Sequence, residues 1–395
     1  ETPAPVLPDP QEADRKYASI DEHALAAPAS MEKDVATLAR YLVGPARNDE
    51  EKIRAIYRWV ADRIAYDADA FFAKDLPDAS PEVTLRRRIA VCGGYAMLAE
   101  ALGKEAGLKV EYVRGRAGGV TSDPNETNSH AWNAVKLAGG WKLLDATWGA
   151  GGLGEDRKFH KEFKPYFFLT PADQMLVTHF PTDPKWQLVL PTISEAEFLK
   201  RPKRMPEFYQ LGLKVDELVG ELEASPRATI HFSAPPGLYL SAQLQSEDSR
   251  EEEHTTMVDR DGGRIVVDVL APRAGKYRLL IFAFRPGAED GREILEYSIV
   301  SKAGEEAGYP ETYHPFQQHS GHVFSPNVGT LKAGKQHFEL ELAGAQSVFV
   351  NDWDNELLKD GDRFVGDVEV SSGDVKVYAV FAGESGEGIV SYRAR

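Results

Sequence analysis

Apolar positions Tyr95, Leu98, Ala101, Leu102 and Ala106 recur three and four residues apart, with Glu100, Lys104 and Glu105 between them. That period predicts an amphipathic helix opening at Cys92 and closed by Gly107. Residues 31–43 and 49–64 carry the same period, the second with Ile53, Ile56, Tyr57, Val60 and Ile64 on one stripe. Both are expected to pack on the Cys92 helix, with Trp59 and Tyr66 as core aromatics. Residues 108–114 alternate like a strand, and residues 115–128, GRAGGVTSDPNETN, have the composition of a loop, either a cleft rim or surface slack. Residues 130–137 alternate again, followed by Ala138-Gly139-Gly140 and a second strand over 141–145, the signature of a β-hairpin.

From about Pro226 the pattern changes to short alternating strands parted by Gly, Pro and Asp: ATIHFSA, GLYLSAQL, GRIVVDVL, GKYRLLIFAF and EILEYSIV, then HVFSP, KQHFELEL, SVFVNDW, RFVGDVEV, DVKVYAVFA and GIVSYRA. Even spacing of this kind indicates two β-sandwiches of roughly 75–85 residues each. Residues 276–284 and 375–381 fall at comparable places in the two sets, as a duplicated Ig-like module requires. A chain of 395 residues is too long for one core. The expected layout is a Pro/Ala-rich linker over 1–30, an α+β domain over 31–224, and sandwiches over 225–302 and 303–395.

Cys92 is the only cysteine. A thiol at a helix N-terminus meets unpaired amides and the positive end of the helix dipole, both of which favour the thiolate. Gly93 and Gly94 leave the backbone beside the sulfur open. A lone cysteine has an ordinary reading too, as a small buried hydrophobe. His130 and Asp145 on the hairpin change the balance, since they add a base and a carboxylate to orient it. Hairpin register decides whether they meet. A turn on Gly139-Gly140 sets Asp145 opposite Ala134, ~13 Å along the strand from His130, whereas a turn nearer residues 137–139 brings the pair nearly level. The second is expected. Trp132 shares the strand face of His130 and is a candidate cleft wall, as is Trp148, although packing alone accounts for both.

At this point VCGGYA (91–96), SHAWNAVKL (129–137) and WKLLDATWG (141–149) resemble the three motifs of the transglutaminase-like superfamily. The approach segment Ile56-Tyr-Arg-Trp59 and Ile64-Ala-Tyr66-Asp67, with the later run YFFLTPADQMLVTHFPTDPKWQLV, resembles its kyphoscoliosis-peptidase-like branch. The resemblance implies an α+β papain-like (transglutaminase-like) core ahead of the all-β Ig-like sandwich modules. It implies Cys92 as nucleophile, His130 as general base and Asp145 as the orienting carboxylate, with no cofactor. One departure is Ala146, where the family commonly has proline. The chemistry implied is acyl transfer from protein or peptide amides through a thioester, to water (peptidase or amidase) or to an amine (cross-linking). The competing expectation is a non-catalytic scaffold whose sandwiches bind protein or cell-wall polymer.

A net charge of −16 argues against nucleic acid or an anionic membrane surface as partner. No apolar run approaches the ~20 residues needed to cross a bilayer. With one cysteine there is no internal disulfide, so cysteine usage leaves the compartment open. Glu1 in place of methionine and the start ETPAPVLPDP fit a trimmed chain or one whose signal peptide has been removed, and the expectation is a periplasmic or extracellular protein. Arg86, Arg87 and Arg88 read as a solvated helix face paired with local carboxylates. His160 and His179 have no ligand-like neighbours in sequence and read as ordinary histidines. Asp259-Arg-Asp261 and Asp352-Trp-Asp354 lack the spacing of a calcium loop and read as turns, so no metal is assigned.

Overall fold

The computed structural model describes residues 12–118, 129–154, 156–248, 250–261, 264–286, 288, 290–383 and 385–395. These fall into two compact units that divide between Leu199 and Lys200.

The first unit opens with helix α1 (Glu12–Leu25), where a linker is expected over 1–30. Tyr17, Ile20 and Ala24 on its inner face are buried in the main core, and the fully buried Arg54 guanidinium holds Asp21 through two hydrogen bonds of 2.8 and 2.6 Å. The composition of the segment concealed this, because among the described residues of the helix only Tyr17, Ile20 and Ala24 are buried, amid many polar side chains. Residues 1–11 lie outside the described set. Helix α2 (Val35–Leu42) is capped by the Asp34 carboxylate and α3 (Asp49–Arg63) by the Asn48 side chain, each accepting from an orphan amide of the first turn. Both helices lie in the expected segments.

A short strand β1 (Ala65–Tyr66), two helices α4 (Ala68–Ala73) and α5 (Pro81–Arg87), and β2 (Ile89–Ala90) then lead to helix α6 (Cys92–Glu105). β1 and β2 pair in parallel, and the bonds Ala65 N to Arg88 O (2.8 Å) and Asp67 N to Ala90 O (3.0 Å) anchor the chain just before the cysteine. Arg88 reaches Glu32 at 2.9 Å and lies over the Trp59 ring, and Arg87 lies 3.6 Å from Asp67, so these two of the three arginines are paired locally.

Beyond α6 come β3 (Val110–Ala117), β4 (Ser129–Leu137), β5 (Gly140–Leu144), helix α7 (Ala146–Ala150), the small hairpin β6 (Gly151–Leu153) and β7 (Phe159–Lys161), and β8 (His179–Pro181). The main sheet is antiparallel in the order β5-β4-β3-β8. Leu137 pairs with Gly140, so the hairpin turns on Ala138-Gly139, within the expected stretch. Of the expected loop, residues 115–117 extend β3, while 119–128 lie outside the described residues.

The strands of this sheet separate two apolar layers. Val110 and Val135 face Tyr95, Leu98 and Leu102 of α6 and Ile53, Ile56 and Val60 of α3. Val113, Trp132, Ala134 and Leu143 pack with Phe167 and Met175. Gly115 makes the second layer possible: a Cβ there would stand 2.5 Å from the Trp132 ring and 2.2 Å from the Phe180 carbonyl oxygen.

The second unit begins at Lys200, so the boundary expected at 224/225 moves. Strands Lys203–Arg204, Lys214–Val215 and Glu221–Ala224 pair with Leu295–Glu296, Phe232–Ser233 and Ser298–Ser301 and so belong to the first sandwich. Their short length and charge hid them from a reading of alternation. Among the described residues each sandwich has one four-stranded and one five-stranded sheet. Two features recur in both. An early strand runs parallel to the last one, Glu221–Ala224 on Arg292–Ser301 and Thr330–Leu331 on Glu387–Ala394. The penultimate strands Gly275–Phe284 and Gly373–Val380 each carry a register shift against the last. Asp259 and Asp261 are on the strand Thr256–Asp261 rather than in a turn, and the buried Asp259 lies 2.7 Å from His322 Nδ1. No described helix is long and apolar enough to cross a membrane.

Candidate active site

Val91, extended at φ −84° and ψ 176°, opens α6 with no side-chain cap, and its carbonyl takes the Gly94 amide at 2.9 Å. Gly94 lets the helix start this close to its neighbours: a Cβ there would stand 2.6 Å from Ala90 Cβ and 2.7 Å from Thr84 Oγ1. The reason for this glycine is thus close packing. At Gly93, in contrast, a Cβ would fit in ordinary contact, 3.7 Å from the Tyr112 hydroxyl and 3.8 Å from Ala79 Cβ.

Cys92 is a free, partly buried thiol close enough to His130 for the imidazole to act on it. Burial pushes its pKa up, but the hydrogen bond and charge of His130 and the Ala131 backbone outweigh burial, and the net shift is downward. His130 spends Nε2 on Asp145 Oδ2 at 2.7 Å, which leaves Nδ1 as the ring nitrogen for the thiol. Burial works against the imidazolium, yet the Asp145 charge and hydrogen bond, with the Cys92 contact, push the His130 pKa up to about 10. Asp145 is fully buried; desolvation would raise its pKa, and His130 and His179 instead hold it well below the usual carboxylate range.

Asp145 follows directly on β5 and caps α7. Its Oδ1 accepts from Thr147 N (2.8 Å) and Trp148 N (3.2 Å), and its own amide donates to Phe167 O (2.9 Å). These bonds fix the carboxylate with Ala146 in place of proline.

Cys92, His130 and Asp145 are therefore brought together. Trp132 is also at the site but 1% exposed, stacked on His130 with ring centroids 6.0 Å apart, so it backs the imidazole instead of walling an open cleft. The reason is strand alternation: its face points into the layer under β4. Trp148 is half-buried and packs edge-on against Phe167 and over His130 at 5.6 Å.

His179 departs most from expectation. It is buried, its Nε2 lies 3.0 Å from the same Asp145 Oδ2, and its Nδ1 lies 2.8 Å from Thr178 Oγ1. His160 is the ordinary exposed histidine expected, paired with Asp156. Ligand atoms of His130, Asp145 and His179 all lie within 4.8 Å of one another, a spacing that would suit a cation. Their contacts to Oδ2 have hydrogen-bond lengths, so protons on two imidazoles account for the cluster. Tyr66 and Tyr112 also stand near enough to the sulfur that burial first, and then the Cys92 charge, raises their pKa values. Position in a strand pattern gave no sign of Tyr112.

Comparison with known proteins agrees with this architecture. Residues 36–146 match the transglutaminase-like superfamily core, and residues 195–310 match the KY-like, immunoglobulin-like domain. The kyphoscoliosis peptidase of Mus musculus is 30% identical over 294 residues, covering 72% of this chain and 43% of that protein. The Homo sapiens protein of the same name is 30% identical, covering 65% and 39%, and hillarin of Drosophila melanogaster is 26% identical, covering 68% and 36%. The chain thus spans less than half the length of these relatives. It carries a transglutaminase-like superfamily core followed by a KY-like, immunoglobulin-like domain, and is similar across both to the kyphoscoliosis peptidases.

Proposed function

We propose that the chain is a cysteine-dependent acyl-transfer enzyme acting on protein or peptide amides. The observation that carries this is the 2.7 Å bond from His130 Nε2 to the buried Asp145 carboxylate, with Cys92 close enough to His130 that the imidazole draws the thiol towards thiolate. In the resting state the proton of Cys92 is held by His130. The sulfur attacks the amide carbon, the carbonyl oxygen takes the negative charge near the positive end of the α6 dipole, and His130 gives its proton to the departing amine. The thioester then passes to water or to a second amine, from which His130 takes the proton. Asp145 balances the imidazolium throughout and fixes its tautomer.

The test is the rate of Cys92 alkylation by iodoacetamide against pH, with intact mass as readout, in wild type and His130→Ala. Reaction well below pH 8 that is lost in the variant supports the activated pair. Reaction only above about pH 8.5 in both removes the proposal. Peptide substrates with and without amine acceptors then separate hydrolysis from cross-linking.

A second reading rests on the last sandwich, where Trp353 is 63% and Leu358 79% exposed. Apolar side chains in water of this size suit a protein or cell-wall partner. Binding that persists in Cys92→Ala would favour a scaffold role for this part of the chain.

A further inference from the structure

His179 is a buried imidazole with no part in the acyl-transfer steps above. Both ring nitrogens are engaged. An ionised carboxylate only accepts, so the 3.0 Å contact to Asp145 Oδ2 requires the proton on Nε2. Nδ1 is then the acceptor, and the Thr178 hydroxyl donates to it at 2.8 Å. Burial disfavours a second proton and outweighs the pull of the Asp145 hydrogen bond and charge, and repulsion from His130 adds to burial, so the ring is held towards its neutral form. Trp132, Trp148 and Phe167 enclose it, with ring centroids at 5.0, 4.6 and 6.2 Å.

The two oxygens of Asp145 have separate duties. Oδ1 takes the Thr147 and Trp148 amides, which already fix the orientation of the carboxylate. Oδ2 takes both imidazoles. We propose that His179 is a positioning residue of the active site, whose second hydrogen bond to Asp145 Oδ2 sets how firmly that oxygen holds His130 as the imidazolium. This rests on the reading of Cys92, His130 and Asp145 as the reacting set. Two donors on one oxygen divide its charge, so each bond is weaker than it would be alone. Without His179, Asp145 would bind the imidazolium more tightly, and His130 would return its proton less readily to the leaving amine.

The charged and titratable groups around His179 are few. His130 faces it from β4, Asp145 from the β5–α7 joint, and Cys92 of α6 acts on it through His130. On the adjacent β3, Arg116 is paired with Glu195, and Arg114 is exposed. Tyr57 of α3 and Tyr66 and Tyr95 sense the Asp145 charge from the other side.

The experiment is a pH titration of histidine ring nitrogens by 15N NMR on the full chain, in wild type, His179→Phe and His179→Gln, with thermal unfolding of each. In wild type, His179 is expected to remain the neutral Nε2–H tautomer from pH 5 to 9. The His130 midpoint is expected to rise by about half a pH unit or more in His179→Phe and to return in His179→Gln, whose amide restores the donor. A His130 midpoint equal in all three proteins overturns the inference. So does a wild-type His179 that titrates near pH 6.5 or carries its proton on Nδ1, a result that needs no variant to fold. If Cys92 is inert to alkylation while the midpoint still moves, the acyl-transfer reading fails and the shared carboxylate stands.

Discussion

His130 and Asp145 are two residues out of level across the β4–β5 hairpin, yet their side chains meet at 2.7 Å. Asn133 pairs with Leu144, the last residue of β5, so a continued ladder would set Asp145 against Trp132. The chain instead leaves the ladder at Asp145 and turns into α7, which aims the carboxylate back along β4 towards His130. The hairpin brings the pair near, and the helix cap completes the bond.

Asp145→Asn keeps the shape of this cap but removes its charge. With no anion to oppose burial, the His130 pKa should fall, and the thiol should lose its cationic partner. The acid limb of Cys92 alkylation should move up towards the ~8.5 of a free thiol. An unchanged limb would show that the carboxylate does not support the pair.

The same charges make stability depend on pH. The folded pKa of Asp145 is depressed, so its contribution is present above the unfolded value near 3.9 and is lost as pH falls below it. The folded pKa of His130 is raised to about 10, so its contribution is full below the unfolded value near 6.5 and is lost as pH rises towards 10. The pair should favour folding most between about pH 4 and 6.5. Melting temperature against pH for wild type minus Asp145→Asn should peak in that window. A flat difference would count against the coupling.

Gly94→Ala should cost about 1–3 kcal/mol, because the new methyl meets Ala90 Cβ at 2.6 Å and Thr84 Oγ1 at 2.7 Å. The clash pushes the first turn of α6 away from β2, so Cys92 alkylation near pH 7 should slow as well. Gly139→Ala, where a Cβ meets nothing within 4 Å, is the control. Urea unfolding and alkylation rates read both.

Asp21→Ala should destabilise the first unit by about 3–5 kcal/mol, since it strands the fully buried Arg54 guanidinium between the Tyr17 and Phe168 rings. Adding Arg54→Met should recover much of that loss, because the double variant buries no unpaired charge. Urea midpoints of the single and double variants decide it. If Asp21→Ala costs nothing, α1 does not hold to the fold as described.

By itself the sequence determined the helices α2, α3 and α6, the hairpin with its turn, the run of sandwich strands, and the order Cys92, His130, Asp145. These are written in local periods of about 3.6 and 2 residues and in motifs a few residues long, which survive without knowledge of what lies across the core. What the tertiary structure alone decided depends on contacts between distant segments. α1 is part of the fold because Arg54, 33 residues on, needs Asp21. Residues 203–224 belong to a sandwich because the strand Arg292–Ser301 and residues 232–233 accept them. Trp132 backs the imidazole because Gly115 on the next strand makes room for it. His179 joins the site because β8 docks on β3 and places it against a carboxylate 34 residues earlier. A histidine in a three-residue strand has no period to announce it, and burial beside a shared oxygen is a property only of the folded chain.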